Sequence, residues 1–190
     1  LTLVKKEYPE VTLNIVGKCD IDYKKYLEKM IEELELKENI EFTDYFPKQS
    51  DMHKHIQKAK YAVLPVKLDV ISGTIIEAMI LGFPVITYKT TGTPYLNKYG
   101  EAVLISDIDD VNSLANNMLR IMKEPELVQK MLNNSKIFIE REYDNKANMD
   151  KLVNIYKAVY KHYYENEPIP KELIFNPEEF PEYKKVNYYD

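Results

Sequence analysis

The chain has 190 residues, of which 45% are hydrophobic and 30% charged, and its formal net charge is -5. This composition is ordinary for a soluble globular protein and excludes a chain that is disordered throughout. The basic residues are scattered among acidic ones, which argues against a nucleic-acid partner, because nucleic acid favours a clustered basic face.

Strand-like and helix-like segments alternate along the chain as far as residue 122. Compact β-prone runs predict strands at 11–16, 40–42, 61–66, 84–87 and 102–105. Apolar residues at helical spacing predict helices at 23–36, 52–59, 73–81, 111–122, 127–140 and 146–164. The alternation predicts an α/β fold, a Rossmann-like parallel sheet with helices on both faces. We interpret residues 1–165 as one domain.

The composition changes after residue 165, so we interpret residues 166–190 as a Pro/Tyr-rich extension. Its four prolines exclude a long helix there: Pro168, Pro170, Pro177 and Pro181. The helix before it carries tyrosines that could form a core stripe or a face at a membrane surface: Tyr156, Tyr160, Tyr163 and Tyr164. We favour core packing, because the flanking charge is not strongly basic.

The cysteine content and the hydropathy bear on the compartment. Cys19 is the only cysteine, which is typical of a protein from a reducing compartment. No apolar run approaches the roughly 20 residues that span a bilayer, and no signal peptide is visible. We predict a cytoplasmic location. The start at Leu1 resembles the end of a helix, so we expect the chain to belong to a longer protein.

Residues 64–87 carry the clearest chemical signal. In a parallel sheet, ligands bind at the carboxyl ends of strands, where loops and helix N-termini meet. The loop 69–73 leaves the third predicted strand and enters a helix at this edge. The first amides of that helix, near Gly73 and Thr74, lack acceptors within the helix, and Gly73 has no side chain to block approach. Such an end suits a diphosphate.

Glu77 lies in the same, otherwise mostly apolar helix, so we expect its carboxylate to be buried and to need a dedicated partner. One candidate partner is the vicinal hydroxyl pair of a ribose. The alternative is a capping box, in which Glu77 reaches back to the amide of Thr74. If Ser72 is the cap, Glu77 lies beyond capping range and is free for a ligand.

The combined pattern resembles a known family. Seven residues separate Asp69 from Glu77 across the loop-to-helix junction, EAM begins at Glu77, and GFPVIT begins at Gly82. This is similar to the signature of the retaining group 1 glycosyltransferases of the GT-B fold, over residues 11–164. Asp69 stands where that family usually has Glu. The resemblance implies the C-terminal, nucleotide-sugar-binding domain, which is one half of a GT-B fold.

The resemblance also implies roles for the matching residues. Asp69 would bind hydroxyls of the donor sugar and Glu77 would hold the ribose, and these two form the predicted catalytic pair. The other donor-binding residues would be Ser72, Gly73 and Thr74 at the diphosphate, Thr43 beside the base, and Gly92 in a second glycine loop. We expect the basic residues with which that family binds the diphosphate to lie upstream of this chain, and Lys89 is a nearby cation that could partly substitute for them. Lys67 is a further cation that could assist.

The implied reaction is the transfer of a sugar, with retention, from a nucleotide diphosphate sugar to an acceptor hydroxyl. A UDP-sugar is the expected donor and polysaccharide biosynthesis the expected pathway. Amides and cations would stabilise the leaving diphosphate, so neither a metal nor a cofactor is expected. The acceptor site would belong to an N-terminal GT-B domain outside this chain, without which we expect little catalysis. Peripheral membrane contact of the full-length protein is left open.

Two other function classes fit the same fold. A non-catalytic module would use the fold for protein contacts and predicts that Glu77 is capped internally and the cleft is filled by side chains. A nucleotide-sugar epimerase would share the architecture and differ in its product. No metal site is expected at His53 and His55, because residues two apart on a helix face different directions.

Overall fold

The computed structural model describes residues 1–174 and forms two compact units, Leu1–Arg141 and a second that begins at Glu142. The break between the units precedes the last long helix and does not coincide with the composition change after residue 165. Most of the predicted extension, residues 175–190, lies outside the described residues. The predicted division at residue 165 therefore stays a prediction.

The first unit contains five short strands. They are β1 (Leu13–Val16), β2 (Ile40–Thr43), β3 (Ala62–Leu64), β4 (Val85–Tyr88) and β5 (Val103–Ser106). Every pairing is parallel, in a ladder of β1 with β2 and a second ladder in the order β3–β4–β5. The parallel α/β architecture is as predicted, although the strands form two ladders in place of one continuous sheet.

Helices follow the strands in the predicted alternation. In the described residues they are α1 (Thr2–Lys5), α2 (Ile21–Glu33), α3 (Gln49–Ile56), α4 (Gly73–Ile80), α5 (Val111–Lys123), α6 (Pro125–Glu142) and α7 (Asn145–Glu165). A short 3-10 helix, Thr93–Asn97, lies between β4 and β5. Each predicted helix is present, with ends that shift by a few residues.

The β3–β4–β5 ladder separates two apolar clusters, because successive side chains of a strand point to opposite faces. Val85 and Val103 belong to a cluster that contains four residues of α4 and Phe138 of α6. Ile86 and Leu104, the next residues of the same strands, belong to a cluster with residues of α5 and α6. Helices therefore cover both faces of this sheet, as the sequence predicts.

The tyrosine stripe of α7 is exposed, so the expectation of core packing is wrong. Each of its four tyrosine residues is more than half exposed: Tyr156, Tyr160, Tyr163 and Tyr164. α7 has no buried residue, and the described part of its unit offers only a three-residue 3-10 helix as a further element. Three of the rings contact one another instead, with the centroids of Tyr160 and Tyr164 4.7 Å apart and those of Tyr163 and Tyr164 4.9 Å apart.

Candidate functional site

The carboxyl ends of β3, β4 and β5 lie at one edge of their sheet, because the three strands are parallel. Ligands of α/β proteins bind at this edge. Six predicted site residues lie in the loops after β3 and β4 or in the first turn of α4: Asp69, Ser72, Gly73, Thr74, Lys89 and Gly92. The sequence thus correctly predicts that these residues follow the carboxyl ends of neighbouring strands.

The N-terminus of α4 presents amides that have no acceptor in the described protein. Ser72 is the N-cap residue, and its side chain makes no capping hydrogen bond. The amides of Gly73 and Thr74 donate no hydrogen bond within residues 1–174, and both residues are exposed. A Cβ built on Gly73 would meet no atom within 4 Å. This open helix end favours an anion, through its unpaired amides and the helix dipole.

Glu77 does not form a capping box. Because Ser72 is the N-cap, Glu77 is the fifth residue after the cap and lies beyond the position from which a glutamate reaches the cap amide. Its carboxylate instead contacts two side chains of another helix. Of the two alternatives left open by the sequence, the structure therefore selects the one in which Glu77 is free of its own helix end.

The Glu77 side chain is 29% exposed, so the expectation that it is buried is wrong. Glu77 lies on a side of α4 whose other residues are exposed: Gly73 and Thr74 lie one helical turn before it, and Ile80 lies about one turn after it. The helix is apolar around most of its circumference, but only part of that circumference meets the core. A carboxylate on its open face does not need a ligand to satisfy it.

Two side chains of α3 hold Glu77, and neither was identified from the sequence. Gln49 Nε2 donates a hydrogen bond to Oε1 of Glu77, and Nε2 of His53 lies 2.8 Å from the same oxygen. The spacing of four residues puts Gln49 and His53 on one face of α3. That spacing is visible in the sequence, but no local signal indicates that this face meets α4.

The contacts from α3 stabilise the ionised form of Glu77. The hydrogen bond from His53 is the main cause that lowers the pKa of the Glu77 carboxyl, and the hydrogen bond from Gln49 adds to it. Partial desolvation raises the same pKa but does not outweigh them. An ionised carboxylate can only accept hydrogen bonds, so Nε2 of His53 carries the proton and donates.

The lowered pKa of Glu77 predicts a pH-dependent contribution to stability. Because the folded-state pKa lies below the unfolded one, the contribution is fully present above the unfolded value, about pH 4.3, and is lost as the pH falls through the folded value. We therefore expect that, as the pH is lowered, the free energy of unfolding of the wild-type protein falls relative to that of Glu77→Gln. Urea denaturation of both proteins between about pH 6 and 3 measures this. A difference that does not change with pH would contradict the expectation.

The loop after β4 holds the loop after β3 in place. The carbonyl oxygen of Val70 accepts two hydrogen bonds, from the amide of Gly92 at 3.1 Å and from Oγ1 of Thr90 at 2.7 Å. Gly92 is buried, and a Cβ on it would lie 2.6 Å from that carbonyl oxygen. Packing between the loops therefore requires glycine at this position. The predicted contact of Gly92 with a donor stays a prediction.

Asp69 is exposed within the loop after β3. Its Oδ1 accepts a hydrogen bond from the amide of Val70 at 2.8 Å, which orients the carboxylate along the loop. Its second oxygen has no hydrogen-bond partner within residues 1–174. The carboxylate that the resemblance assigns to the donor sugar therefore keeps one oxygen available.

The two candidate cations have different surroundings. Lys67 forms an ion pair with Asp109. The hydrogen bond that the Lys67 ammonium donates to the Asp109 carboxylate is the main cause that raises the pKa of Lys67. Lys89 is exposed and forms no ion pair with any residue that the structure describes. A bound anion would have to compete with Asp109 for Lys67, whereas Lys89 is available without such competition.

Thr43 is connected to the same site through α3. It ends β2, and its Oγ1 lies 3.3 Å from Nε2 of His55. His53, two residues earlier, contacts Glu77. The two histidines face different directions, as their spacing predicts, and α3 thereby contacts both Thr43 and Glu77.

Two features are absent from the part of the chain that the structure describes. Residues 1–174 contain no group of three or more His, Cys, Asp or Glu side chains that could hold a metal ion. Over the same range, no helix combines the length and the apolar character needed to cross a bilayer.

The fold is similar to that of several solved structures. The C-terminal domain of LpcC, a group 1 family glycosyl transferase from Francisella tularensis, has a TM-score of 0.67 and 18% identity over 76% of this chain and 75% of that one. Sucrose-phosphate synthase from Thermosynechococcus elongatus has a TM-score of 0.70 and 21% identity, over 84% of this chain and 41% of its own. HepE from Anabaena, solved with UDP, has a TM-score of 0.65 and 21% identity, over 80% and 44%. The chain thus spans less than half the length of the last two proteins.

Two sequence comparisons bear on the family. The first, a search of curated proteins, finds no match to the chain. The family model described as "Glycosyl transferases group 1" matches residues 1–138, which include every predicted site residue and the whole of the strand-containing region. Since this match covers well over half of the chain, the protein belongs to the group 1 glycosyl transferases.

Proposed function

We propose that this chain binds the nucleotide-sugar donor of a retaining glycosyltransferase, which transfers a sugar from a nucleotide diphosphate sugar to an acceptor hydroxyl. The observation that carries the proposal is the open N-terminus of α4. There the amides of Gly73 and Thr74 lack acceptors, and Glu77 lies one helical turn further along the same face. An anion and a neighbouring polyol are the ligand groups that this arrangement suits.

The donor would lie along the carboxyl edge of the sheet. Its diphosphate would accept hydrogen bonds from the amides at Ser72, Gly73 and Thr74, with Lys89 adding positive charge. Its ribose would donate hydroxyl hydrogen bonds to Glu77. Asp69 would bind the transferred sugar through the carboxylate oxygen that does not accept from Val70. Charge developing on the leaving diphosphate would be stabilised by these fixed amides, without a required metal or cofactor.

We propose that the nucleotide of the donor is uridine diphosphate. HepE, which shares the fold, has been solved in complex with UDP and with UDP-glucose. We extend this to the present chain because its candidate site residues lie at the carboxyl edge of the sheet, where α/β proteins bind ligands.

A second domain would complete the enzyme. Two structural relatives are more than twice as long as the region matched by this chain. We propose that the acceptor site lies in an N-terminal GT-B domain and that this chain alone binds the donor with little turnover. We propose a location in the cytoplasm, because a single cysteine is typical of a protein from a reducing compartment.

One observation favours a second candidate, a non-catalytic module that keeps the fold for protein contacts. Gln49 and His53 give Glu77 internal partners, as that candidate predicts. They contact only one carboxylate oxygen, however, and the α4 amides remain unpaired. The candidate therefore explains part of the site and leaves its most ligand-like feature without a role.

A thermal-shift screen with UDP, GDP, ADP and their glucose conjugates tests the proposal. A ligand that binds only the folded state, at a concentration 100 times its dissociation constant, adds about 2.7 kcal/mol of stability. For a chain of this size that corresponds to a rise in melting temperature of roughly 5–10 °C. We expect the uridine compounds to produce the largest rise. The absence of any rise across the panel would favour the non-catalytic module.

A further inference from the structure

Both α3 donors contact the same oxygen of Glu77. Gln49 and His53 each reach Oε1, while Oε2 has no hydrogen-bond partner within residues 1–174. An ionised carboxylate offers about four acceptor sites, two on each oxygen. The two donors therefore occupy the two acceptor sites of Oε1, and both acceptor sites of Oε2 stay available for a further donor.

The two contacts also restrict the Glu77 side chain. A glutamate on an exposed helix face can adopt several rotamers, and Glu77 is 29% exposed. Donors from a separate helix, on residues four apart, fix the position of Oε1 from one side. Because the carboxylate is planar, a fixed Oε1 also limits where Oε2 can point.

We propose that Gln49 and His53 are positioning residues that present Oε2 of Glu77 to the ribose hydroxyls of a nucleotide, and that His53 thereby sets a preference for ribonucleotides over 2′-deoxyribonucleotides. This inference rests on the proposed donor-binding function. Glu77 is the residue that touches the ligand, and Gln49 and His53 act through it.

The preference has a physical origin in unpaired acceptors. When a ribose lies against Oε2, the 2′-hydroxyl donates to a charged acceptor that has lost its water. A 2′-deoxyribose would cover the same oxygen without donating, which leaves a desolvated charge unpaired. Binding sites that rely on such a hydrogen bond discriminate strongly against the analogue that lacks it. A Glu77 side chain without its α3 partners could turn toward water and avoid that cost.

Calorimetric titration with UDP and with 2′-deoxy-UDP measures this preference. The wild-type protein is expected to bind UDP at least about tenfold more tightly than 2′-deoxy-UDP, as for a lost hydrogen bond to a charged group. In His53→Ala we expect this ratio to fall to about threefold or less, because Oε2 is no longer fixed. In His53→Gln, whose amide can donate in place of the imidazole, the ratio is expected to recover.

Three further variants separate positioning from a general loss of structure. His55→Ala removes the other histidine of α3, which contacts Thr43 and Asn14, so the ratio is expected to stay as in the wild type. Gln49→Ala removes the second donor and also lowers the ratio, and it serves as the test if His53→Ala does not fold. In a Glu77→Ala background, His53→Ala is expected to have no further effect on the ratio.

The outcomes distinguish this inference from the proposed function. A wild-type ratio near one, or a ratio that His53→Ala and Gln49→Ala both leave unchanged, would overturn the positioning role while UDP binding still supports the donor site. If the wild-type protein binds neither nucleotide, the proposed function fails and the inference fails with it. A ratio that falls in His53→Ala, recovers in His53→Gln and persists in His55→Ala would support it.

Discussion

Replacing Gly92 by Ala is expected to lower the free energy of unfolding by about 1–3 kcal/mol, the range for overpacking a closely packed site. The new Cβ would lie 2.6 Å from the carbonyl oxygen of Val70 and 2.8 Å from Cγ1 of Ile71. The nearest of these atoms belongs to the backbone, so a change of side-chain rotamer cannot relieve the contact. The two loops would have to separate, which would break the hydrogen bond from the Gly92 amide to Val70.

Scanning calorimetry of Gly92→Ala measures this effect, and Gly73→Ala is its matched control. A loss of 1–3 kcal/mol corresponds to a melting temperature lower by roughly 2–12 °C in a chain of this size. A Cβ on Gly73 meets no atom within 4 Å, so that variant is expected to stay within about 0.5 kcal/mol of the wild type. Equal melting temperatures for Gly92→Ala and the wild type would show that the loops are not packed as described.

Replacing Glu77 by Ala is expected to weaken UDP binding by about 10- to 150-fold, the equivalent of about 1.5–3 kcal/mol for hydrogen bonds to a charged group. The ribose hydroxyls would lose their acceptor, whereas the α4 amides would still bind the diphosphate. Binding is therefore expected to weaken without disappearing. Calorimetric titration of UDP into the wild type and the variant measures the change.

Glu38→Ala is the control for the Glu77 variant, because it removes an exposed glutamate from the turn before β2, outside the candidate site. We expect its affinity for UDP to equal that of the wild type. Removing one net negative charge also changes long-range electrostatics, and the control contains the same change. Equal affinities of the wild type, Glu77→Ala and Glu38→Ala for UDP would show that Glu77 does not contact the bound nucleotide.

The junction between α4 and β4 could be predicted because its signals are local. Gly82 has a φ of 80°, the left-handed conformation that favours glycine after a helix. The amide of Phe83 returns to the carbonyl of Ala78, which closes the helix end. Pro84 cannot continue a helix, and the four residues after it form a fully buried strand. Each of these features is set by residue types within a few positions.

The surroundings of Glu77 could not be predicted, because they depend on contacts that are distant in the sequence. Gln49 and His53 lie 28 and 24 residues from Glu77. A pattern of apolar residues shows that α4 packs on a sheet, but it does not show where the helix surface stays open. The prediction that Glu77 is buried was therefore wrong, because part of the α4 surface stays open. The prediction that Glu77 lies next to an open helix end was correct.

The exposed tyrosines of α7 have the same explanation. An apolar or aromatic stripe at helical spacing indicates that a helix face can be covered, but it does not indicate that a covering element is present. The pattern of Tyr156, Tyr160, Tyr163 and Tyr164 fits either core packing or a face at a membrane surface, and core packing was expected because the flanking charge is not strongly basic. The described residues of the second unit supply no sheet to receive them.

Nuclear magnetic resonance on isotope-labelled protein can locate UDP at the level of single amides. If the N-terminus of α4 binds the diphosphate, the amide resonances of Gly73 and Thr74 shift progressively as UDP is added, and that of Glu38, in the turn before β2, stays in place as an internal reference. Binding of UDP with no movement of the Gly73 and Thr74 resonances would contradict a donor site at this helix end.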